Sequence, residues 1–411
     1  MKRIKFYSYY FLMILFAGLF LHSCDQTDEP EDKVYDNFIS NELKFEITTQ
    51  EAIAKLTTFA AIMPETSLLG AVVKSDIEVH KITYKTTFKE ANIQASGLVC
   101  LPKTAGNYPV LCFQNGTNTL HSEAPTENPK SDLLSILESV ASMGFIVVIP
   151  DYIGFGASSK LTHPYLHAES TTKSILDMLR AVNQFGTEDD VLAKPTKDLF
   201  IFGYSQGGWA TMQLQKSIEK DYSTEFNLIA SSCAAGPYSI EYMNKFITEK
   251  EDYPMPYFLT YLLNSYTAIG LVNNPLSDFI QAPYATKIPG LFDGKHSGGE
   301  INAQLTTQMS TLLTPEYRTG FATDTKFAGV RSAFVANSIE PWLISTPTRL
   351  YHGANDEFIP PALSQKMLLD FKAKGVSDTK IESIVIPGVD HSLGVIPVGF
   401  QTILWFLTLK K

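Results

Sequence analysis

The run Leu199-Phe200-Ile201-Phe202-Gly203-Tyr204-Ser205-Gln206-Gly207-Gly208 carries an apolar β-type stretch into a serine held between glycines, and Trp209 to Leu214 continue with helical spacing. A serine on so sharp a strand-to-helix turn sits in strained backbone, so the residues two before and two after it must be small for strand and helix to close up. Gly203 and Gly207 meet that need. The turn presents the hydroxyl in the open and leaves the backbone N–H of Gln206, at the helix start, facing the place where an oxyanion would develop. The chemistry implied is nucleophilic attack on a carbonyl. A serine hydroxyl is too weak an acid to attack unaided, so a general base, and a group that fixes the tautomer of that base, must come from elsewhere in the chain.

Eight histidines are available. His22 lies in an N-terminal apolar segment, His121 and His296 in loops, and His163 and His167 on either side of a helix start. His80 falls in an alternating strand-like run, where it is expected to face solvent. His352 sits in a strand-to-loop turn that suits a structural role. The pair His163-x-x-x-His167 lacks the Glu-bearing zincin pattern, so no metal site is expected, and the chemistry requires no cofactor.

These side chains need a scaffold. Ile77 to Leu101 alternate in hydrophobicity about a polar turn near Glu90-Ala91-Asn92 and predict an antiparallel hairpin. Continuous apolar runs follow at Pro109 to Phe113, Phe145 to Ile149, Asp198 to Phe202, Leu228 to Cys233, Thr348 to Tyr351 and Ile381 to Ile386, as in a parallel sheet covered on both faces. Amphipathic helices are predicted between them at Ser131 to Ser142, Glu169 to Phe185, Trp209 to Glu219, Leu363 to Lys374 and Phe400 to Leu409. Thr48-Thr49-Gln50-Glu51 resembles a capping box, so Val34 to Lys74 are expected to form a helical lead-in. The stretch of about 239–343 has no strand-helix alternation and is far longer than an ordinary connection, which makes it an insertion placed to cap the carboxyl ends of the strands.

This alternation with an antiparallel start is that of the α/β-hydrolase fold class, a mostly parallel sheet with an antiparallel N-terminal hairpin and helices on both faces. In that fold the acid follows a strand after the serine and the histidine follows the next strand. Asp356 and His391 stand in those places, with Glu357 and Asp390 as alternative acids. The second oxyanion donor comes from the loop after an earlier strand, here Phe113-Gln114-Asn115-Gly116-Thr117-Asn118. The N–H after the glycine nominates Thr117, and Asn115 is the alternative, through main chain or side chain.

The segments Phe113-Gln114-Asn115-Gly116-Thr117, Pro150-Asp151-Tyr152-Ile153-Gly154-Phe155-Gly156-Ala157-Ser158, Gly203-Tyr204-Ser205-Gln206-Gly207-Gly208 and His352-Gly353-Ala354-Asn355-Asp356 resemble the secretory lipase family of α/β hydrolases and related exported bacterial lipoprotein esterases. The resemblance covers Ile77 to the C-terminus less the insertion. It implies a serine esterase or lipase with a largely helical cap insertion over the site and a Ser205–Asp356–His391 triad; Asn115 departs from the His or Asp that relatives often carry. Asp151 matches a structural loop and is assigned no proton transfer. Tyr242, Phe246, Tyr253, Tyr257, Phe258, Tyr261, Tyr266, Phe279 and Tyr284 in the insertion suit either an acyl pocket or the cap's own small core.

Acidic residues outnumber basic ones 43 to 33 in 411 residues, with no basic block beyond the first few positions, which argues against a nucleic-acid partner. Lys2, Arg3 and Lys5 precede an apolar run from Tyr9 to Leu21 that suits a signal peptide over 1–23. Leu21-His22-Ser23-Cys24 resembles a lipobox, and Cys24 is the expected lipidation site, anchoring an exported bacterial lipoprotein to the outer membrane or cell surface. Ordinary secretion or a periplasmic location is the alternative. Residues 24–76 form an acidic tether and lead-in, and 77–411 the hydrolase domain. Cys100, Cys112 and Cys233 are expected to be buried, and a Cys100–Cys112 disulfide between neighbouring strands is a minor alternative. The function expected is cleavage of a small ester or lipid substrate through an acyl-enzyme. Rivals are an acetyl or feruloyl esterase acting on polysaccharide and a non-catalytic lipid- or glycan-binding lipoprotein.

Overall fold

Continuous apolar runs separated by helical segments produce one nine-stranded sheet, with strand order β1-β2-β3-β5-β4-β6-β7-β8-β9. The computed structural model describes residues 35–58 and 67–411, so the expected signal segment, Cys24 and the acidic tether lie outside the described residues. β2 (Ile77–Phe88) and β3 (Ala91–Pro102) form the expected hairpin, joined by Lys89 and Glu90 at φ 48° and 64°, the left-handed pair that a tight two-residue turn demands. From β5 (Ile146–Pro150) and β4 (Gly106–Gln114) through β6 (Ala193–Tyr204), β7 (Asn227–Ala234), β8 (Thr348–Gly353) and β9 (Ile381–Ile386) all pairings are parallel.

The lead-in is only partly helical. α1 (Thr49–Thr58) opens on the expected capping box, with Glu51 N–H donating to Thr48 Oγ1 and Thr48 N–H donating to Glu51 Oε2. Phe38–Ile47, expected to be helical, is instead the edge strand β1, antiparallel to β2. Most of its side chains are exposed, so no alternation marked it; the ladder to β2 makes it a strand, and Glu42, Lys44 and Glu46 keep that edge charged.

Apolar layers cover both faces of the sheet. α2 (Asp132–Ser139) and α9 (His391–Leu409) pack on one face with α1; α3 (Ala168–Phe185) and α4 (Gln206–Asp221) pack on the other. This double cover corrects the solvent-facing placement of His80, which is only 8% exposed and packs its ring 5.3 Å from that of Phe185 on α3. It also corrects the disulfide alternative. Cys100 pairs with Val147 of β5 and Cys112 with Val148, so β5 separates the two cysteines and their side chains enter opposite faces; all three described cysteines are free and buried.

Between β7 and β8 the chain is helical, including α5 (Ile240–Thr248), α6 (Tyr257–Ala268) and α7 (Ala328–Asn337), with shorter helices between α6 and α7. The two stems of this excursion are tied together: Ile339 N–H donates to Tyr238 O at 2.7 Å and Ile240 N–H to Ser338 Oγ at 2.9 Å. Trp209 Nε1–H, on α4, donates to Asn337 O at 2.8 Å. α8 (Ala362–Ala373) then packs beside β8 and β9.

Candidate active site

β6 ends at Tyr204 and α4 starts at Gln206, which leaves Ser205 at φ 59° and ψ −123°. That left-handed strain persists because the surroundings hold it. A Cβ on Gly203 would strike the carbonyl of Gly207, and one on Gly207 would strike the carbonyl of Gln114, so neither position tolerates a side chain. Ser205 N–H donates to Ala234 O at 2.9 Å, fixing the turn to the end of β7.

His391 is the first residue of α9. Asp390 caps that helix by accepting from Leu393 N–H at 2.8 Å, which occupies it as a structural group, and Glu357 is exposed. His391 Nε2 lies 3.0 Å from Ser205 Oγ, and its Nδ1 lies 2.6 Å from Asp356 Oδ2. The imidazole packs against the rings of Tyr204 and Phe358, at 5.2 and 5.3 Å, and Tyr204 Oη donates to the His391 carbonyl at 2.7 Å.

Asp356 follows β8 by three residues. Its Oδ1 accepts from the N–H groups of Phe358 and Ile359, and its Oδ2 faces a second imidazole, His352 Nε2, at 3.1 Å. That same Nε2 is 2.8 Å from Ile359 O, so it carries the proton, and His352 Nδ1 accepts from Ser364 Oγ at 2.7 Å. Burial penalises the Asp356 charge, but the hydrogen bonds from His352 and His391 and the attraction of His391 outweigh it and bring the carboxyl down to about 2.

Two further loops reach the elbow. The Gln206 side chain donates from Nε2 to His163 Nε2 at 3.0 Å, because His163 Nδ1 is the protonated nitrogen that donates to Ile153 O at 2.7 Å. Burial lowers His163 to about 4 against the pull of that carbonyl, keeping it neutral. A Cβ on Gly116 would lie 3.6 Å from Tyr204 O and 3.9 Å from Ser205 Cβ, so the Asn115-Gly116-Thr117 turn abuts the elbow. Asn115 Nδ2 donates to Pro150 O at 2.6 Å, which commits its side chain elsewhere, and Thr117 Oγ1 shares a hydrogen bond with Tyr165 Oη at 2.9 Å. Asp151 is buried and bound by Ser96 Oγ, Thr126 N–H and Thr126 Oγ1, the partners of a structural carboxyl.

A narrow cleft opens on Ser205 beneath the helical excursion, with Tyr165, Met243, Tyr253, Phe258 and Leu262 among its walls. The aromatic residues of the insertion divide between the two expected uses. Tyr253 and Phe258 line the cleft, whereas Tyr266 and Phe279 are buried against Phe334 and Tyr317 within the cap. The contact of His352 with the acid and the support of Gln206 by His163 were not anticipated. The four-residue spacing of His352 and Asp356 around a strand end was the one signal available, and nothing local linked His163 to Gln206.

The sequence model of the family described as Secretory lipase matches residues 118–406. No curated protein matches the chain. Among solved structures, the Legionella pneumophila protein lpg1103 superposes with a TM-score of 0.81 at 23% identity, covering 91% of this chain and 98% of the other. The rice cell wall degrading esterase LipA from Xanthomonas oryzae gives 0.73 at 23% identity over 89% and 94% of the two chains. Candida antarctica lipase A in its closed state gives 0.65 at 16% identity over 90% and 81%. These likenesses establish the shared fold, and the family match over well over half of the sequence establishes membership: the chain belongs to the secretory lipase family of α/β hydrolases, an ester hydrolase of the lipase and esterase kind.

Proposed function

We propose that the protein is a serine carboxylic-ester hydrolase working through an acyl-enzyme, on an exported lipoprotein anchored at Cys24. The observation that carries this reading is the unbroken hydrogen-bond chain from Ser205 Oγ through both nitrogens of His391 to Asp356 Oδ2. His391 takes the serine proton as Oγ adds to the ester carbonyl, and Asp356 holds the Nδ1–H tautomer and stabilises the imidazolium that forms. The backbone N–H of Gln206, with that of Thr117 as second donor, receives the oxyanion. His391 then protonates the leaving alcohol. Water, deprotonated by the same imidazole, releases the acid and regenerates Ser205.

Replacing Ser205 by Ala is expected to lower kcat for a short aryl ester by about 10⁴ or more in a folded protein, and to abolish labelling by a fluorophosphonate. Unchanged turnover by the folded variant would overturn the assignment. A wild-type protein that neither turns over nor labels would be a binder on a hydrolase scaffold.

A further inference from the structure

The cleft above Ser205 is lined by apolar and aromatic side chains apart from the serine itself and one amide, and the hydroxyls of Tyr165 and Tyr253 are engaged with Thr117 Oγ1 and the Phe358 carbonyl. α5 starts beside the elbow, since Gly236 presses on the backbone of Gly208 and Trp209, and its residues 240, 243, 244 and 247 form the single stripe that faces the cleft. Three of them are Ile240, Met243 and Ile247. The fourth is Asn244, only 3% exposed. Its Oδ1 lies 2.6 Å from Tyr317 Oη. Tyr317 is fully buried against Phe279, Phe321 and Phe327, and its hydroxyl has Asn244 as its one partner among the described residues, so it must donate there. This fixes the amide's orientation. Nδ2, with no partner among the described residues, is the polar group that Asn244 offers to the cleft.

We infer that Asn244 is a specificity-determining residue, selecting acyl groups that carry a neutral oxygen acceptor, an ether, ketone or hydroxyl, part-way along the chain. The inference rests on the serine-esterase reading above. An acyl group is favoured because the residues around the cleft are buried except for half-buried Phe258, which suits the part of the substrate that stays bound while the alcohol leaves and water enters. A neutral acceptor is favoured because no cationic side chain lines the cleft, and a carboxylate there would lack a counter-charge. An all-carbon chain would seal the Nδ2 hydrogens away from any acceptor, whereas an oxygen at the right position pairs them. The difference is worth about tenfold in kcat/KM.

The test compares nitrophenyl octanoate with analogues in which an ether oxygen replaces one methylene at successive positions. A matching series carries the oxygen in the alcohol, and nitrophenyl acetate serves as reference. Wild-type protein is expected to prefer one acyl oxa-isomer over octanoate by about tenfold. The double variant Asn244→Leu with Tyr317→Phe, which removes the amide and the hydroxyl it would strand, is expected to turn that preference toward octanoate. A flat wild-type series, an isomer preference that survives in the variant, or a preference confined to the alcohol series would overturn the inference. The wild-type scan needs no variant, so a double variant that fails to fold leaves the first criterion in force. Ser205-dependent hydrolysis of the acetate separates the two readings. If it is present while the oxa series is flat, only the inference fails; if no ester is hydrolysed in a Ser205-dependent way, the esterase reading itself fails.

Discussion

Asp356→Asn removes a charge while keeping the volume of the side chain, and its cost can be worked from the site. Asp356 Oδ2 is 2.6 Å from His391 Nδ1, and the carboxyl is buried. As Ser205 attacks, the imidazole gains a positive charge roughly 4 Å from the carboxylate charge, an attraction of about 4 kcal/mol at an effective dielectric of about 20. That is on the order of 10³ in rate. An amide can also turn an N–H toward Nδ1 and stabilise the wrong tautomer, so the expected loss in kcat is about 10³ to 10⁴. The same substitution has a stability signature. The folded carboxyl lies at about 2 against an ordinary 3.8. A depressed carboxylate stabilises the fold above the unfolded value and loses that contribution as pH falls from about 4 to 2, here about 2 kcal/mol. Kinetics on a short aryl ester and urea midpoints at neutral pH and at pH 2 read both effects. The wild-type advantage in stability should shrink on acidification. A folded Asn variant that keeps more than a tenth of wild-type kcat would show that this carboxylate does not serve His391.

Glu138 on α2 is buried with neither carboxyl oxygen hydrogen-bonded among the described residues, and burial pushes it up to about 8 despite Lys55 and Lys130. A raised carboxyl stabilises the fold fully below its ordinary 4.5 and progressively less as pH rises, so Glu138→Gln should gain about 3 to 4 kcal/mol relative to wild type between pH 4.5 and pH 7.5. Urea midpoints that move in parallel for the two proteins would refute the buried charge. Cys24→Ser should move the protein from the detergent phase to the aqueous phase in a detergent partition, and an unaltered partition would remove the lipid anchor from the proposal.

The elbow was legible because its demand is local: a strained serine forces small neighbours, and Gly203 and Gly207 meet carbonyls that a Cβ would strike. The parallel strands were legible because burial on both faces removes alternation and leaves continuous apolar text. β1 was not, because an exposed edge strand is defined by the partner it pairs with, and His80 was misplaced because the face of β2 that α3 covers cannot be read from β2 alone. The cysteines illustrate the same limit. Strand order 3-5-4 puts β5 between two segments that are adjacent in sequence. His391 and Asp356 could be nominated from their places after strands, but the second imidazole on Asp356 and the bond from Gln206 to His163 depend on loops meeting in space.

Tyr238 with Ile339, Ile240 with Ser338 and Trp209 with Asn337 fasten the departure and the return of the helical excursion at one clasp over the nucleophile helix. Beyond the clasp the excursion is pinned to the loops around the serine and the imidazole: Tyr261 Oη donates to Asn118 O, Ser265 Oγ to His163 O and Tyr253 Oη to Phe358 O. A change of length or lining in the excursion is therefore felt by the loops that carry Thr117, His163 and Phe358, so the wall that would choose a substrate is mechanically coupled to the groups that hold Ser205 and His391 in place.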